Sequence, residues 1–297
     1  MSGGRDGPKP DDIPAATLSG AAGFTTDGTE PRTDASAAAS FPDPSMSSRA
    51  PESPVVSILI PAKDEAGSIA DVLHEITASS LGSLGVPYEF VVIDDGSTDG
   101  TARAALGAGL PNVRVLRHEK SGGKSRAIRA GALAARGEIL VTMDGDGQND
   151  PQFLAALVAP LLSDPAVGIV AGQRTRRHDG WQKKFVSKVA NRTRRALLAD
   201  DTRDTACGLK AMRRDVYLTL PFFDNNHRFY PALFMREGWR VGHVDVADRP
   251  RTTGQSKYGV LDRALVGLPD LLGMWWLRRR AASRPTAVEV TRESVDG

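Results

Sequence analysis

Large apolar side chains are almost absent from the first fifty residues and then arrive in short, dense blocks. The first block, Val55-Val56-Ser57-Ile58-Leu59-Ile60, is a β-branched run whose length and composition predict a buried strand that Pro61 ends. Ile69, Val72, Leu73 and Ile76 then recur at the spacing of one helix face, predicting a helix over 69–76. Phe90-Val91-Val92-Ile93 reads as a second buried strand, closed by Asp94-Asp95-Gly96-Ser97. A helix over Thr101–Leu106, a strand over Val113–Leu116, a helix over Ser125–Ala135 and a strand over Ile139–Met143 continue the alternation. Strands apolar throughout, separated by helices, predict an α/β fold with a mainly parallel sheet covered on both faces.

In such sheets ligands bind beyond the carboxyl ends of the strands. The chain places its polar clusters there: Lys63-Asp64-Glu65, Asp94-Asp95 and Asp144-Gly145-Asp146. In Met143-Asp144-Gly145-Asp146-Gly147-Gln148, two carboxylates two residues apart in extended chain point to one side. Gly145 between them leaves room for a ligand to approach the backbone. Such a pair is a hard-oxygen site for Mg²⁺ or Mn²⁺, which take a few carboxylates plus substrate phosphates, and Gln148 can add a carbonyl oxygen. An acidic surface turn is the plainer alternative.

Lys120-Ser121-Gly122-Gly123-Lys124-Ser125 is not a nucleotide-triphosphatase loop, because that pattern needs a glycine where His118 stands. A glycine pair opening a helix remains, whose free N–H groups and Lys124 can meet an anion or merely start the helix. The acidic run Asp94-Asp95-Gly96-Ser97-Thr98-Asp99 argues against direct phosphate contact. Its expected division of labour puts Asp95 on the N–H groups of a nucleobase and Ser97 or Asp99 in local structure.

Composition alters this picture little. With 297 residues, 25% charged, 40% hydrophobic and a net charge of +2, any preference for anions must come from where the charge sits. The single cysteine, Cys207, excludes an internal disulfide framework, fits a reducing compartment, and is of a type more often buried than nucleophilic. The five histidines lack metal-ligand spacing. Residues 1–52, rich in Gly, Ser, Ala, Pro, Asp and Thr, are expected to be disordered, since they cannot bury enough surface to offset ordering entropy. They lack the basic start and apolar core of a secretory signal, and no apolar run approaches the roughly 20 residues that span a bilayer. The expected organisation is a folded domain over 53–259, an amphipathic interfacial helical segment over 260–280 and a disordered tail over 281–297.

Four motifs together resemble family 2 glycosyltransferases: Pro61-Ala-Lys-Asp-Glu65, Asp94-Asp-Gly-Ser-Thr-Asp-Gly-Thr101, Asp144-Gly-Asp-Gly-Gln148 and Arg251-Thr-Thr-Gly-Gln-Ser-Lys257. Their order is similar to that of the dolichol-phosphate mannose synthase branch and its bacterial polyprenyl-phosphate relatives, over about Pro54 to Gly259. The resemblance implies a GT-A fold, a nucleotide-sugar donor, a divalent metal, and inverting transfer to a polyprenyl phosphate. Carried over by position, it implies that Pro61, Lys63, Glu65, Ile93 and Asp95 hold the nucleoside, and that Asp144, Asp146 and Gln148 hold the metal with the Gly145 backbone alongside. Arg174 matches an arginine near the donor, while Arg251 and Lys257 match a cationic pair on phosphates. Lys63-Asp64 departs from the family's usual Tyr-Asn, leaving both UDP- and GDP-linked donors open.

Relatives that glycosylate a hydroxyl carry an acidic pair whose aspartate is the general base; here the region reads Asp204-Thr-Ala-Cys-Gly-Leu-Lys-Ala-Met. A phosphate monoester is already mostly ionised near neutral pH, so a lipid phosphate acceptor needs no such base. Asp204 is left either orienting the acceptor or sitting in a helix-entry turn.

Trp181 to Leu198 carries Lys183, Lys184, Lys188 and Arg192 beside Trp181 and Phe185 with no acid, the profile of a helix on an anionic membrane or of a basic-faced helix on the sheet. Ala264 to Leu277 is apolar with Trp275 and Trp276 before three arginines, interrupted by Pro269 and Asp270, and suits an interfacial anchor. The expected location is therefore cytoplasmic, peripherally attached to the inner face of the cell membrane. Two other functions remain open: a soluble family 2 transferase acting on a hydroxyl, and a nucleotide-sugar-binding protein without turnover. No nucleic acid is expected, because no recognition motif or aromatic platform accompanies the basic run. Nothing in the pattern indicates an oligomeric state.

Overall fold

The computed structural model describes residues 54–175, 197–198, 202–247, 249 and 260–280, with side chains of the last segment from residue 269 onward. Among these residues one sheet has seven strands: β1 (Val56–Ala62), β2 (Tyr88–Asp94), β3 (Val113–Arg117), β4 (Ile139–Thr142), β5 (Val167–Arg174), β6 (Lys210–Arg213) and β7 (Arg240–Val246). Their order is β3-β2-β1-β4-β6-β5-β7. All neighbours pair in parallel except β6, which runs antiparallel between β4 and β5. The helices are α1 (Ile69–Thr77), α2 (Thr101–Gly107), α3 (Lys124–Ala134), α4 (Leu154–Ser163), α5 (Arg214–Thr219), α6 (Tyr230–Arg236) and α7 (Val260–Arg279).

The continuous apolar strands are explained by two cores, one on each face. Ile58, Ile60, Phe90 and Val92 pack under α1, α2 and α4, while Leu59, Val91 and Ile93 pack under α3, α5, α6 and α7. Consecutive residues alternate between the faces, and both faces are dry, so no polar alternation appears in the sequence.

The structure departs from expectation in two places. β1 does not end at Pro61 but continues to Ala62, paired with Asp94. The ladder to β4 stops where the Met143 N–H donates to the Leu59 carbonyl, while the Asp95 N–H donates to Ala62 on the opposite side, β2's. The proline's missing N–H faces the side that β4 has already left, so no hydrogen bond is lost. Secondly, α7 runs unbroken through Pro269, which is exposed. Although α7 has 20 residues, no described helix is long and apolar enough to cross a membrane.

Candidate active site

The loops after β1 and β2 are stitched together by main chain and small polar side chains. Asp64, at a left-handed φ of 57°, donates its N–H to Ser97 Oγ and accepts from the Thr98 N–H at 3.0 Å. The Glu65 N–H donates to Thr101 Oγ1 and the Ala66 N–H to Asp99 Oδ2. Ser97 and Asp99 thus serve local structure. The Glu65 carboxylate accepts from Ser68 Oγ at 3.2 Å, and exposed Lys63 reaches the carbonyls of Asp95 and Gly96 at 3.5 and 3.4 Å. Pro61 lies half-buried between them. The Ile93 side chain is wholly buried in the core beneath α3, so only its main chain is left to meet a nucleoside.

Asp95 also turns inward. Its carboxylate accepts from Ser121 Oγ at 2.7 Å, the Gly122 N–H at 2.8 Å and the Gly123 N–H at 2.9 Å, and lies 2.7 Å from His118 Nδ1. These four contacts use the carboxylate's acceptor sites, so in this conformation none is left for a nucleobase. Burial alone would raise its pKa, but the bonds from Ser121, Gly122, His118 and Gly123 win and lower it to about 2. The glycine pair at the start of α3 does bind an anion, and that anion is Asp95.

Just beyond β4, the acidic loop meets the first residue of α3. Lys124 forms an ion pair with Asp144 Oδ1. Burial pushes the Asp144 pKa up, but Lys124, with Lys210 and Arg174, more than offsets this, and the net shift is downward. The Asp144 N–H donates to Asn149 Oδ1 at 3.0 Å. A Cβ on Gly208 would lie 2.5 Å from Asp144 Oδ2, so only glycine admits the carboxylate there. Asp146, buried, accepts from the Gln148 N–H at 3.2 Å. Gly145 has a different purpose from the one its sequence suggests: a Cβ there would press on Ala62 and Ile69 at 3.3 and 3.4 Å, so the glycine seats the loop on the core. Arg249 closes the outer side, its N–H donating to the Gln148 carbonyl at 2.9 Å and its guanidinium pairing with Glu75 and Asp150.

Opposite stand the ends of β5 and β6. Arg174 clasps Asp204 through Nε and Nη2 at 2.5 and 3.0 Å, and Asp204 Oδ1 also accepts from the Ala206 N–H. Lys210, 3% exposed, donates to the Cys207 carbonyl. Burial lowers its pKa to about 8 despite Asp144 and Asp204 nearby. Cys207 is buried, and burial pushes its thiol pKa up, which removes it as a nucleophile. Ser125 Oγ lies 2.7 Å from His227 Nδ1, and burial, with Lys124, Lys210 and Arg228 nearby, holds the imidazole neutral well below its usual range.

The structure therefore brings Lys124, Asp144, Arg174 and Asp204 together around Lys210, at a polar site beside the acidic loop that carries the Gly145 backbone, Asp146 and Gln148. Arg251, Lys257, Trp181, Lys183, Lys184, Lys188 and Arg192 lie outside the described residues. Trp275 and Trp276 lie on α7, with Arg279 4.4 Å over the Trp275 ring and Arg280 5.8 Å over Trp276. Sequence patterns missed Lys210, Asn149, Gly208 and His227. Only Gly208 left a trace, as a lone glycine beside the cysteine; the rest gain meaning from partners distant in sequence.

Residues 57–220 match the family described as Glycosyl transferase family 2. The dodecaprenyl-phosphate galacturonate synthase of Rhizobium johnstonii is 30% identical over 232 residues, covering 76% of this chain and 68% of that protein. An undecaprenyl-phosphate 4-deoxy-4-formamido-L-arabinose transferase of Aeromonas hydrophila is 31% identical over 213 residues, covering 70% and 64%. The chain thus spans about two thirds of the length of these curated relatives. Among solved structures, glucosyl-3-phosphoglycerate synthase from Mycobacterium tuberculosis, in complex with Mn²⁺, UDP-glucose and glycerol 3-phosphate, superposes with a TM-score of 0.57 at 23% identity, over 76% of this chain and 80% of that one. Mannosyl-3-phosphoglycerate synthase from Rubrobacter xylanophilus gives 0.56 at 20% identity, over 76% and 74%. At that identity the two structures establish the fold, which is GT-A.

Proposed function

The chain belongs to glycosyltransferase family 2, and from that premise we propose that it moves a sugar, with inversion, from a UDP- or GDP-linked donor to a polyprenyl phosphate at a membrane surface. The observation that carries this reading is the state of Asp204. It is the one carboxylate that the sequence left as a candidate general base, and Arg174 holds both of its oxygens. A hydroxyl acceptor needs a base to take its proton, whereas an ionised lipid phosphate does not. The curated relatives named above are polyprenyl-phosphate enzymes, which supports the same acceptor.

Asp144 and Asp146 fit a divalent ion. Among the described residues no group of three or more His, Cys, Asp or Glu side chains is placed to hold a metal, so two carboxylates are what the site offers. A hard ion accepts this when substrate phosphates complete its shell. Asp144 and Asp146, with Gln148 beside them, would hold Mg²⁺ or Mn²⁺. When bound, the ion supplies positive charge against the departing nucleoside diphosphate.

The chain's own residues do the remaining work. Lys124, freed from Asp144, meets a donor phosphate, and Arg251 and Lys257 complete the positive charge that draws two anionic substrates together. Arg249, two positions before Arg251 in the sequence, donates its N–H to the Gln148 carbonyl of the acidic loop. Pro61, Lys63 and Glu65 border the nucleoside, while Asp95 shapes its floor by holding the Ser121–Gly123 turn. Attachment to the bilayer is peripheral, through α7 and the basic stretch from Trp181 to Arg192.

The test is transfer from radiolabelled UDP- and GDP-sugars into an organic-extractable polyprenyl phosphate, with Mg²⁺, Mn²⁺ or chelator. Metal-dependent label in the organic phase is expected from one donor. Transfer to a hydroxyl acceptor instead would overturn the lipid-phosphate assignment.

A further inference from the structure

Outside this site, a groove of about 780 Å³ opens at the carboxyl end of β3, between the loop after that strand and the outward face of α3. Arg117, Lys120, Arg126 and Arg129 line it together with Leu133 and Phe222, and among the described residues Glu119 is the only acid in its lining. Its apolar residues are open to solvent: Leu133 is 60% and Phe222 38% exposed. The Arg129 guanidinium lies 5.9 Å from the centre of the Phe222 ring, so the cation rests on an aromatic that would otherwise face water.

The distribution of exposed apolar side chains sharpens the point. Among the described residues six large ones are exposed: Leu106, Leu133, Leu162, Phe222, Leu272 and Trp276. Leu106 and Leu162 belong to α2 and α4, on one side of the sheet. The other four belong to α3, α7 and the loop after α5, all on the opposite side. These three pieces are connected: Arg126 pairs with Asp224 at 3.2 Å, and the adjacent Asn225 hydrogen-bonds Asp270 of α7. On that side arginines lie over aromatic rings, Arg279 and Arg280 over Trp275 and Trp276 as Arg129 lies over Phe222.

We propose that this side is the membrane-docking face, and that the Arg126–Arg129–Phe222–Leu133 groove receives the headgroups and upper acyl chains of anionic phospholipid. Long basic side chains and aromatics suit such an interface, where apolar stems enter the acyl boundary and cations meet lipid phosphates. The loop forming one rim of the groove holds Asp95 through Ser121 and Gly122 on its inner side. Docking by this groove therefore brings the carboxyl end of the sheet to the bilayer. The inference rests on the lipid-acceptor reading above for its purpose, but not for its measurement.

Cys207 is the single cysteine and is buried, so an introduced cysteine can be labelled selectively. Leu133→Cys, with Phe222→Cys as a second groove position, would carry an environment-sensitive fluorophore in the full-length protein. Leu106→Cys and Leu162→Cys serve as controls. With vesicles of phosphatidylcholine and phosphatidylglycerol, the groove positions should shift to the blue and brighten, while the controls stay unchanged. Vesicles of phosphatidylcholine alone should produce little change, and Arg126→Glu should weaken the response to anionic vesicles about tenfold. No shift at either groove position, or an equal shift at Leu106, overturns the proposal; such a face would then be free for a protein partner. An equal response to neutral vesicles overturns the anionic-lipid assignment. Transfer to a short-chain, water-soluble polyprenyl phosphate, measured alongside, separates failure of docking from failure of the lipid-acceptor reading.

Discussion

Strands β3, β2, β1 and β4 form a parallel half that is largely apolar, its buried Glu89 neutralised by Arg114 and held by Ser57. By contrast β6, inserted antiparallel between β4 and β5, carries Lys210 into the interior, where it donates to the Cys207 carbonyl. The loops above the two halves differ accordingly. On the parallel half, Asp64, Glu65, Ser97, Asp99 and Thr101 interlock through main-chain N–H groups and short polar side chains. Above β4, β5 and β6, order comes from ion pairs, Lys124 with Asp144 and Arg174 with Asp204. The first kind of wall is held by neutral main-chain donors and short side chains. In the second, each charge can be given a new partner, because a phosphate replaces a carboxylate at a lysine or arginine with little change in shape. On the function proposed above, the first wall would border the nucleoside and the second the donor phosphates.

The sharpest break in this comparison is Asp146→Ala. It should reduce transfer by at least about 10³-fold while circular dichroism and the melting temperature stay near wild type, since the acidic loop is asked for charge rather than packing. Full activity would remove the metal assignment. Gly208→Ala comes next. Its Cβ would displace the Asp144 carboxylate, and the expected loss is about 10- to 100-fold in turnover or metal affinity, read by Mn²⁺ titration as well as by rate. An unchanged Mn²⁺ affinity would show that Asp144 need not be held so tightly.

Asp95→Asn tests the parallel half. Replacing an anion that accepts from two main-chain N–H groups and a hydroxyl should destabilise the fold by about 1–3 kcal/mol, a drop of roughly 2–4 °C in melting temperature per kcal/mol. The sign with pH follows from the folded pKa, about 2, lying below the ordinary 3.8. The ionised form contributes its full stability above the ordinary value and loses it as pH falls toward about 2. The gap between wild type and Asp95→Asn should therefore be constant near neutrality and close in acid; a gap that widens in acid would contradict the assignment. The smallest effect on the fold is expected from Trp276→Ala. Trp276 is 55% exposed, so stability should change by no more than about 0.5 kcal/mol, while sedimentation with anionic vesicles falls severalfold. Removing α7 altogether is a poorer test, because its own Met274 is buried in the core.

The parallel half was legible because β1, β2 and β4 are local blocks of mostly apolar residues and β3 carries three apolar residues in five, and the motif positions follow from where those blocks end. β6 was not. Lys210-Ala211-Met212-Arg213 has a charge at each end and resembles a surface turn more than a central strand. Its burial comes from β4 and β5 flanking it, which no local pattern encodes. Much the same holds for the site. Asp144 and Asp146 stood out through their spacing, but Lys210 and His227 acquire their shifted pKa values only from desolvation and charges contributed by other elements.

By itself, then, the sequence determined the α/β class, the parallel strands and the strand ends at which the chemistry gathers, because burial on two faces demands apolar runs and the loops between them must be polar. Tertiary structure alone decided what each polar group faces. It turned Asp95 toward the Ser121–Gly123 loop, clamped Asp204 with Arg174, and set Gly208 against Asp144. These partners lie 26, 30 and 64 positions apart in the chain. Charge interactions depend on distance in space, and a crossover connection sets that distance without leaving a local pattern behind.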